Sequence, residues 1–333
     1  MKAILAALAL AAGFSAWAQQ PIPHAIEIPR WFEETFLNIG EDIRDAAGAG
    51  KRLMVYFGQD GCPYCTQLMQ TNFTQKSIVE KTRRNFVAIA LNIWGDREVT
   101  WTDGRTMSEK QFARFLKVQF TPTLLFFDER GNIVVRLNGY YPPHRFEPAL
   151  DYVAARTEGR QAFADFMKSA VKEFAGAKLN EQPFFMKPPL DLRRKSGGRP
   201  LAMIFETPYC AGCDELHREG FARPEIKTLL ARFDVARLSL AERSAVLTPD
   251  GGKMPADEWA RSLRIAYTPS LVFFDDRGAE AFRIESYVRP FHLASAFDYV
   301  ASGAYRREPS FQRFIQGRAE HLREKGEAVE LWR

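Results

Sequence analysis

The feature that most constrains this 333-residue chain is a pattern that occurs twice. FTPTLLFFDERG at 120–131 returns 147 positions later as YTPSLVFFDDRG at 267–278. Asp151-Tyr152-Val153 returns at the same interval as Asp298-Tyr299-Val300. Cys62-Pro63-Tyr64-Cys65 returns after 148 positions as Cys210-Ala211-Gly212-Cys213. TDGRTMSEKQFARFL at 102–116 has a counterpart in PDGGKMPADEWARSL at 249–263. Stacked solenoid repeats have periods of roughly 20–50 residues, so an interval this long marks duplicated domains instead. The length suits two domains, and a 46% hydrophobic content can fill two cores. The Pro-, Lys- and Gly-rich stretch from Ala175 to Pro200 is the expected join.

Both copies predict the same element order. The apolar runs at 52–57 (RLMVYF) and 201–205 (LAMIF) read as buried strands, each leading into a Cys-x-x-Cys that opens a helix. A second helix and strand follow, at SIVEKTRRN–FVAIALNI and EIKTLLAR–FDVARLSL. A short helix then precedes Thr-Pro, two strands joined by a Gly turn, and closing helices near 144–157 and 291–303. This order predicts an α/β fold with a mixed central sheet and helices on both faces in each domain. FADFMKSAVKEF at 163–174 and FQRFIQGRAEHL at 311–322 predict an extra amphipathic helix after each copy.

The N-terminus has the form of a targeting segment. Lys2 supplies the positive end, Ala3 to Phe14 the apolar stretch, and Ala16-Trp17-Ala18 the small-x-small cleavage site. The expected organisation is a signal peptide at 1–18, a first domain at 24–175, a linker and lead-in at 176–200, and a second domain at 201–326. The expected compartment is a bacterial periplasm. No later segment approaches the roughly 20 apolar residues of a membrane helix, so no stable membrane insertion is expected. The net charge of +5 comes from scattered Lys and Arg, densest at Arg193-Arg194-Lys195 and Lys81–Arg84. No interleaved aromatics accompany them, which points to a solvated basic surface and away from nucleic acid.

All four cysteines lie in the two tight pairs. Such a pair can be half of a zinc site, a local staple or a reactive dithiol. A staple closing so small a loop contributes little. Four-cysteine zinc sites usually separate their pairs by roughly 15–20 residues. Here Cys65 and Cys210 are 145 positions apart. His217, one helical turn past Cys213, reads as a partly exposed helix residue, and the histidines at 24, 144, 292 and 321 have no ligand or triad spacing. No metal is expected, and no cofactor beyond the cysteines themselves.

A buried strand delivering Cys-x-x-Cys to a helix start, followed 59 or 58 residues later by Thr-Pro before a hairpin, resembles thioredoxin in both halves. The FGQDGCPYC context resembles periplasmic thioredoxin-like proteins of the SoxW type. The resemblance implies tandem thioredoxin-fold domains exchanging disulfides with protein thiol or disulfide substrates. Cys62 and Cys210 would attack from a helix N-terminus, where the backbone N–H groups favour the thiolate, and Cys65 and Cys213 would resolve. Pro63 suits a first helical turn, and Pro63 and Tyr64 would belong to the substrate-binding face. Pro122 and Pro269 would be cis-prolines opposite the dithiols, with Thr121 and Thr268 offering backbone groups to an extended peptide. The implied direction is reductive, fed by a membrane electron conduit. The alternatives are a disulfide oxidase or isomerase, or a redox-linked substrate-binding chaperone. Trp31, Phe32, Phe184 and Phe185 could line a chaperone surface but read better as packing residues.

The pattern also departs from thioredoxin. Tyr56 and Ile204 stand where thioredoxin has its buried acid, so that proton-relay role does not transfer. The nearby acids Asp60 and Glu206 read as solvated rim charges. Cys-Pro-Tyr-Cys is the glutaredoxin-type motif, and Thr before the proline is shared with periplasmic isomerases. Ala211-Gly212 in place of Pro63-Tyr64 predicts a looser turn and a different potential at the second pair.

Overall fold

The computed structural model describes residues 25–171, 178–285, 288–327 and 329. The first unit begins with α1 (Ile39–Gly48), whose N-cap Asn38 accepts a hydrogen bond from the Glu41 N–H. There follow β1 (Arg52–Gly58), α2 (Pro63–Gln67), α3 (Lys76–Asn85) and β2 (Phe86–Asn92). A small hairpin, β3 (Glu98–Thr100) and β4 (Thr106–Ser108), leads into α4 (Glu109–Phe115), which opens on a Ser108–Gln111 capping box. The unit continues through β5 (Thr123–Phe127), β6 (Ile133–Asn138), α5 (Pro143–Ala154) and the extra helix α6 (Phe163–Ala170).

The second unit repeats this order from its central strand onward. It comprises β7 (Leu201–Glu206), α7 (Ala211–Glu215), α8 (Pro224–Leu230), β8 (Asp234–Ser239), the hairpin β9 (Ala245–Leu247) and β10 (Lys253–Pro255), and α9 (Ala256–Ser262). Then come β11 (Ser270–Phe274), β12 (Glu280–Ile284), α10 (Pro290–Ala301) and α11 (Phe311–Glu324). The main sheets have the orders β2-β1-β5-β6 and β12-β11-β7-β8. The central strands β1 and β7 pair in parallel with β2 and β8 and antiparallel with β5 and β11. The expected mixed sheet is present in both units.

Every residue of β1 and β7 is buried, because helices cover both faces. Alternation divides their side chains between two cores. Met54 and Tyr56 join one with Phe146 and Leu150 of α5, while Leu53, Val55 and Phe57 join the other with Ile43 of α1 and Phe112 of α4. In the second unit Ala202 and Ile204 face Phe297 of α10, and Leu201, Met203 and Phe205 face Trp259 of α9.

The described part of the join takes the place of the segment that enters α1, where Leu37 O accepts from the Thr100 N–H at 2.9 Å. Leu190 and Leu192 are buried in the core with Trp259. Leu192 N–H donates to Leu247 O at 2.9 Å, and Leu247 N–H to Leu190 O at 3.1 Å. The lead-in is thus a packed strap. Each extra helix is anchored alike: Tyr152 donates to Gln161 O at 2.7 Å, and Tyr299 to Glu308 O at 2.6 Å. The predicted first extra helix was longer; its end at 172–174 and the expected signal peptide both lie outside the described residues.

Candidate active site

Each central strand ends at a turn that throws the chain into a short helix, and the first cysteine of each pair is that helix's N-cap. In the first unit Gly61 takes a left-handed φ of 71° just before Cys62. In the second, Tyr209 takes φ 60° at the matching place, although a side chain makes that conformation unfavourable. Pro63 occupies the first turn of α2, where its missing N–H costs nothing. Cys65 N–H points at Cys62 Sγ at 3.1 Å, and Cys213 N–H at Cys210 Sγ at 3.1 Å. These donors are the ones that would stabilise a thiolate. Both pairs are disulfide-bonded, with Cα–Cα separations of 5.2 Å. One π-helical turn follows each short helix, at Leu68–Asn72 and Leu216–Gly220.

The Thr-Pro elements face these helices, and both Thr121–Pro122 and Thr268–Pro269 are cis. Thr121 Oγ1 lies 3.3 Å from Cys62 Sγ, and Thr121 O 3.4 Å from it. Gln59 donates to Thr121 Oγ1 at 3.1 Å. The second unit replaces that bond with a Thr207–Thr268 hydroxyl pair at 3.1 Å. Strand, helix start and Thr-Pro loop therefore converge on each disulfide.

The units meet at these faces. Tyr64 of the first motif accepts from the Arg289 backbone N–H at 2.8 Å, and its ring sits edge-on to His292 at 5.3 Å. Burial, reinforced by the Arg289 charge, pushes the His292 imidazole down to about 4, so it stands neutral beside Tyr64. Cys62 is 3% exposed and Cys210 2%.

Two residues were misjudged from sequence. Glu206 is no rim charge: it ends β7 fully buried, with Oε1 2.8 Å from His217 Nε2. His217 is itself buried, and Gln182 Nε2 lies 3.0 Å from its Nδ1. Gln182 donating to Nδ1 leaves the ring proton on Nε2, directed at the carboxylate. The missed signal was β7 itself, since a strand covered on both faces buries its last residue too. Asp60 is exposed, as expected, and accepts from the Ile26 N–H. Phe32 and Phe185 are buried, with Trp31 and Phe184 packed against the same cores. Among the described residues no cluster of three or more His, Cys, Asp or Glu could hold a metal ion. None of their helices is long and apolar enough to cross a membrane.

One such Cys-x-x-Cys on each of two such sheets defines a thiol–disulfide oxidoreductase of thioredoxin fold. The thioredoxin-like domain model matches residues 39–154 and 193–301, and the chain belongs to that family. It is similar to a thioredoxin-fold protein from Helicobacter pylori, at 21% identity and TM-score 0.36 over 42% of this chain and 86% of that one. A thioredoxin from Thermus thermophilus matches at 26% identity and TM-score 0.30, over 37% and 87%. The DsbD C-terminal domain from Neisseria meningitidis matches at 13% identity and TM-score 0.26, over 34% and 89%. No curated protein matches the chain.

Proposed function

We propose that the chain is an exported, periplasmic reductase of protein disulfides, fed by a membrane electron conduit. The observation that carries this reading is the paired arrangement: each Cys-x-x-Cys caps a helix N-terminus, with a cis Thr-Pro loop in the same unit. Export rests on the form of residues 1–18, and the direction of electron flow on the resemblance of FGQDGCPYC to SoxW-type proteins.

Reduced Cys62 or Cys210 attacks one sulfur of a substrate disulfide as the thiolate. A new S–S bond forms, and the other substrate sulfur leaves as a thiolate and is protonated. Cys65 or Cys213 then attacks the bridged cysteine, closing the internal disulfide and expelling the second substrate sulfur. The substrate gains two electrons and two protons, which the dithiol loses. Thr121 or Thr268 holds the extended peptide through its backbone.

Two measurements test this. Replacing both Cys62 and Cys210 by Ala should reduce dithiothreitol-driven insulin disulfide reduction at least about 100-fold, because exchange requires the attacking thiolate. The reduction potentials of the two pairs should lie below about −200 mV; values near the −120 mV of strong oxidants would overturn the reductive direction.

A further inference from the structure

The two units do not merely sit side by side: the second brings its extra helix to the first dithiol, and the first brings its own to the Tyr209 turn and Thr268 loop that flank the second. α6 begins at Phe163 and α11 at Phe311, so Ala164 and Gln312 are matching residues, as are Met167 and Ile315. Gln312 and Ile315, from the second unit, line a cavity with Cys62, Pro63 and Thr121 of the first. Ala164 and Met167, from the first unit, line a groove with Tyr209 and Thr268 of the second. His292 of α10 and Arg145 of α5, also matching positions, complete the two linings.

The architecture is reciprocal, yet the outcome is not. The space at the first dithiol is about 80 Å³, whereas the groove beside the second is about 640 Å³. Gln312 makes two of the polar contacts that close the first. Its Oε1 accepts from Gln59 Nε2 at 2.9 Å, and its Nε2 donates to Gln119 O at 3.0 Å. Gln59 is the residue that also holds Thr121, so the bond from Gln312 reaches the loop facing Cys62. Phe311 N–H donates to Gln119 Oε1 at 3.0 Å, and the Phe311 ring packs on Phe120 at 5.5 Å. A substrate peptide would need the surface that α11 occupies. Ala164 has no amide with which to close the second site, and the face it leaves open is largely apolar, with Met167, Leu240 and Tyr267 beside the Thr268–Pro269 loop.

We infer that the residue at this shared helix position decides where a polypeptide can dock: both attacking cysteines are buried, but Gln312 seals the approach to the first, whereas Ala164 leaves a groove at the Tyr209–Thr268 rim of the second. On the reading that protein disulfides are the substrate, Cys210–Cys213 meets them, and Cys62–Cys65 does so only when the units part. Reactivity toward a large partner then falls by the fraction of time the seal is open.

The test uses the full chain with one pair retained, Cys62→Ala/Cys65→Ala or Cys210→Ala/Cys213→Ala. Each is assayed reduced with insulin and, separately, with iodoacetamide and a polyethylene-glycol maleimide. Retaining only the first pair should give insulin turnover at least about tenfold slower than retaining only the second, and a similarly lowered ratio of bulky to small alkylation. Gln312→Ala should raise both quantities at the first pair severalfold, and Ala164→Gln should depress both at the second. Equal bulky-to-small ratios at Cys62 and Cys210, or ratios indifferent to both substitutions, would overturn the seal. Failure of insulin turnover by both chains with the alkylation pattern as stated would overturn the protein-disulfide reading and leave the seal standing.

Discussion

Glu206 and His217 show what one buried charge asks of its surroundings. A carboxylate with no exposure is tolerable here because His217 faces it at 2.8 Å and Gln182 orients the ring from behind. His217→Phe would strand the acid and should cost about 3 kcal/mol in urea unfolding, whereas Glu206→Leu with His217→Phe should recover most of that loss. A single variant as stable as the parent would show that the pair carries no such burden. The pair was illegible in sequence because the two residues are eleven positions apart on different elements, and only the fold brings them together. The cysteines and Thr-Pro pairs were legible because their chemistry is written within a few consecutive residues.

At the scale of elements, Arg52 fixes the start of β1 to three other parts of the first unit. Its guanidinium is buried against Glu129 in the β5–β6 turn at 3.1 Å, Glu158 beyond α5 at 2.6 Å, and Val153 O at 3.0 Å. Arg52, through its hydrogen bond, is the main cause holding the Glu129 carboxyl down to about 2. A depressed carboxylate stabilises the fold above its unfolded value near 4.5, and that stability is lost as the pH falls toward 2. Glu129→Gln should therefore lower stability by roughly 1 kcal/mol at pH 7, a figure discounted for the partial exposure of Glu129. The deficit should shrink in thermal melts as the pH drops below 4.5. A deficit unchanged by acid would exclude the ion pair as its cause. The main strands and the helices after β1 were readable from apolar runs and period, but α1 and the hairpins β3–β4 and β9–β10 were not. Strands of three residues are too short to display an alternation.

At the scale of the molecule, the units trade aromatic residues. Phe120, from the loop before Pro122, lies in the second unit's core, 5.4 Å from Phe282 and 5.5 Å from Phe311. Tyr267, its counterpart, lies in the first unit's core, 4.6 Å from Tyr141 and beneath the Arg145 guanidinium. Phe120→Ala should cost about 3 kcal/mol. Hydrogen exchange should then accelerate around Phe282 and Phe311 as well as at the mutated loop; changes confined to the first unit would contradict a shared core. Neither exchange was foreseeable, because both aromatics fit a buried hairpin of their own copy equally well.

This exchange makes the chain comparable to a dimer whose two subunits have been spliced end to end. A dimer of identical chains must carry the same residue at every related position, so a closed face on one side would be a closed face on both. Splicing lifts that constraint. One copy can hold glutamine and the other alanine on the same helix, and Pro-Tyr can stand between one pair of cysteines while Ala-Gly stands between the other. Two unlike redox centres are thereby produced in fixed proportion from a single polypeptide, with no partner subunit to find.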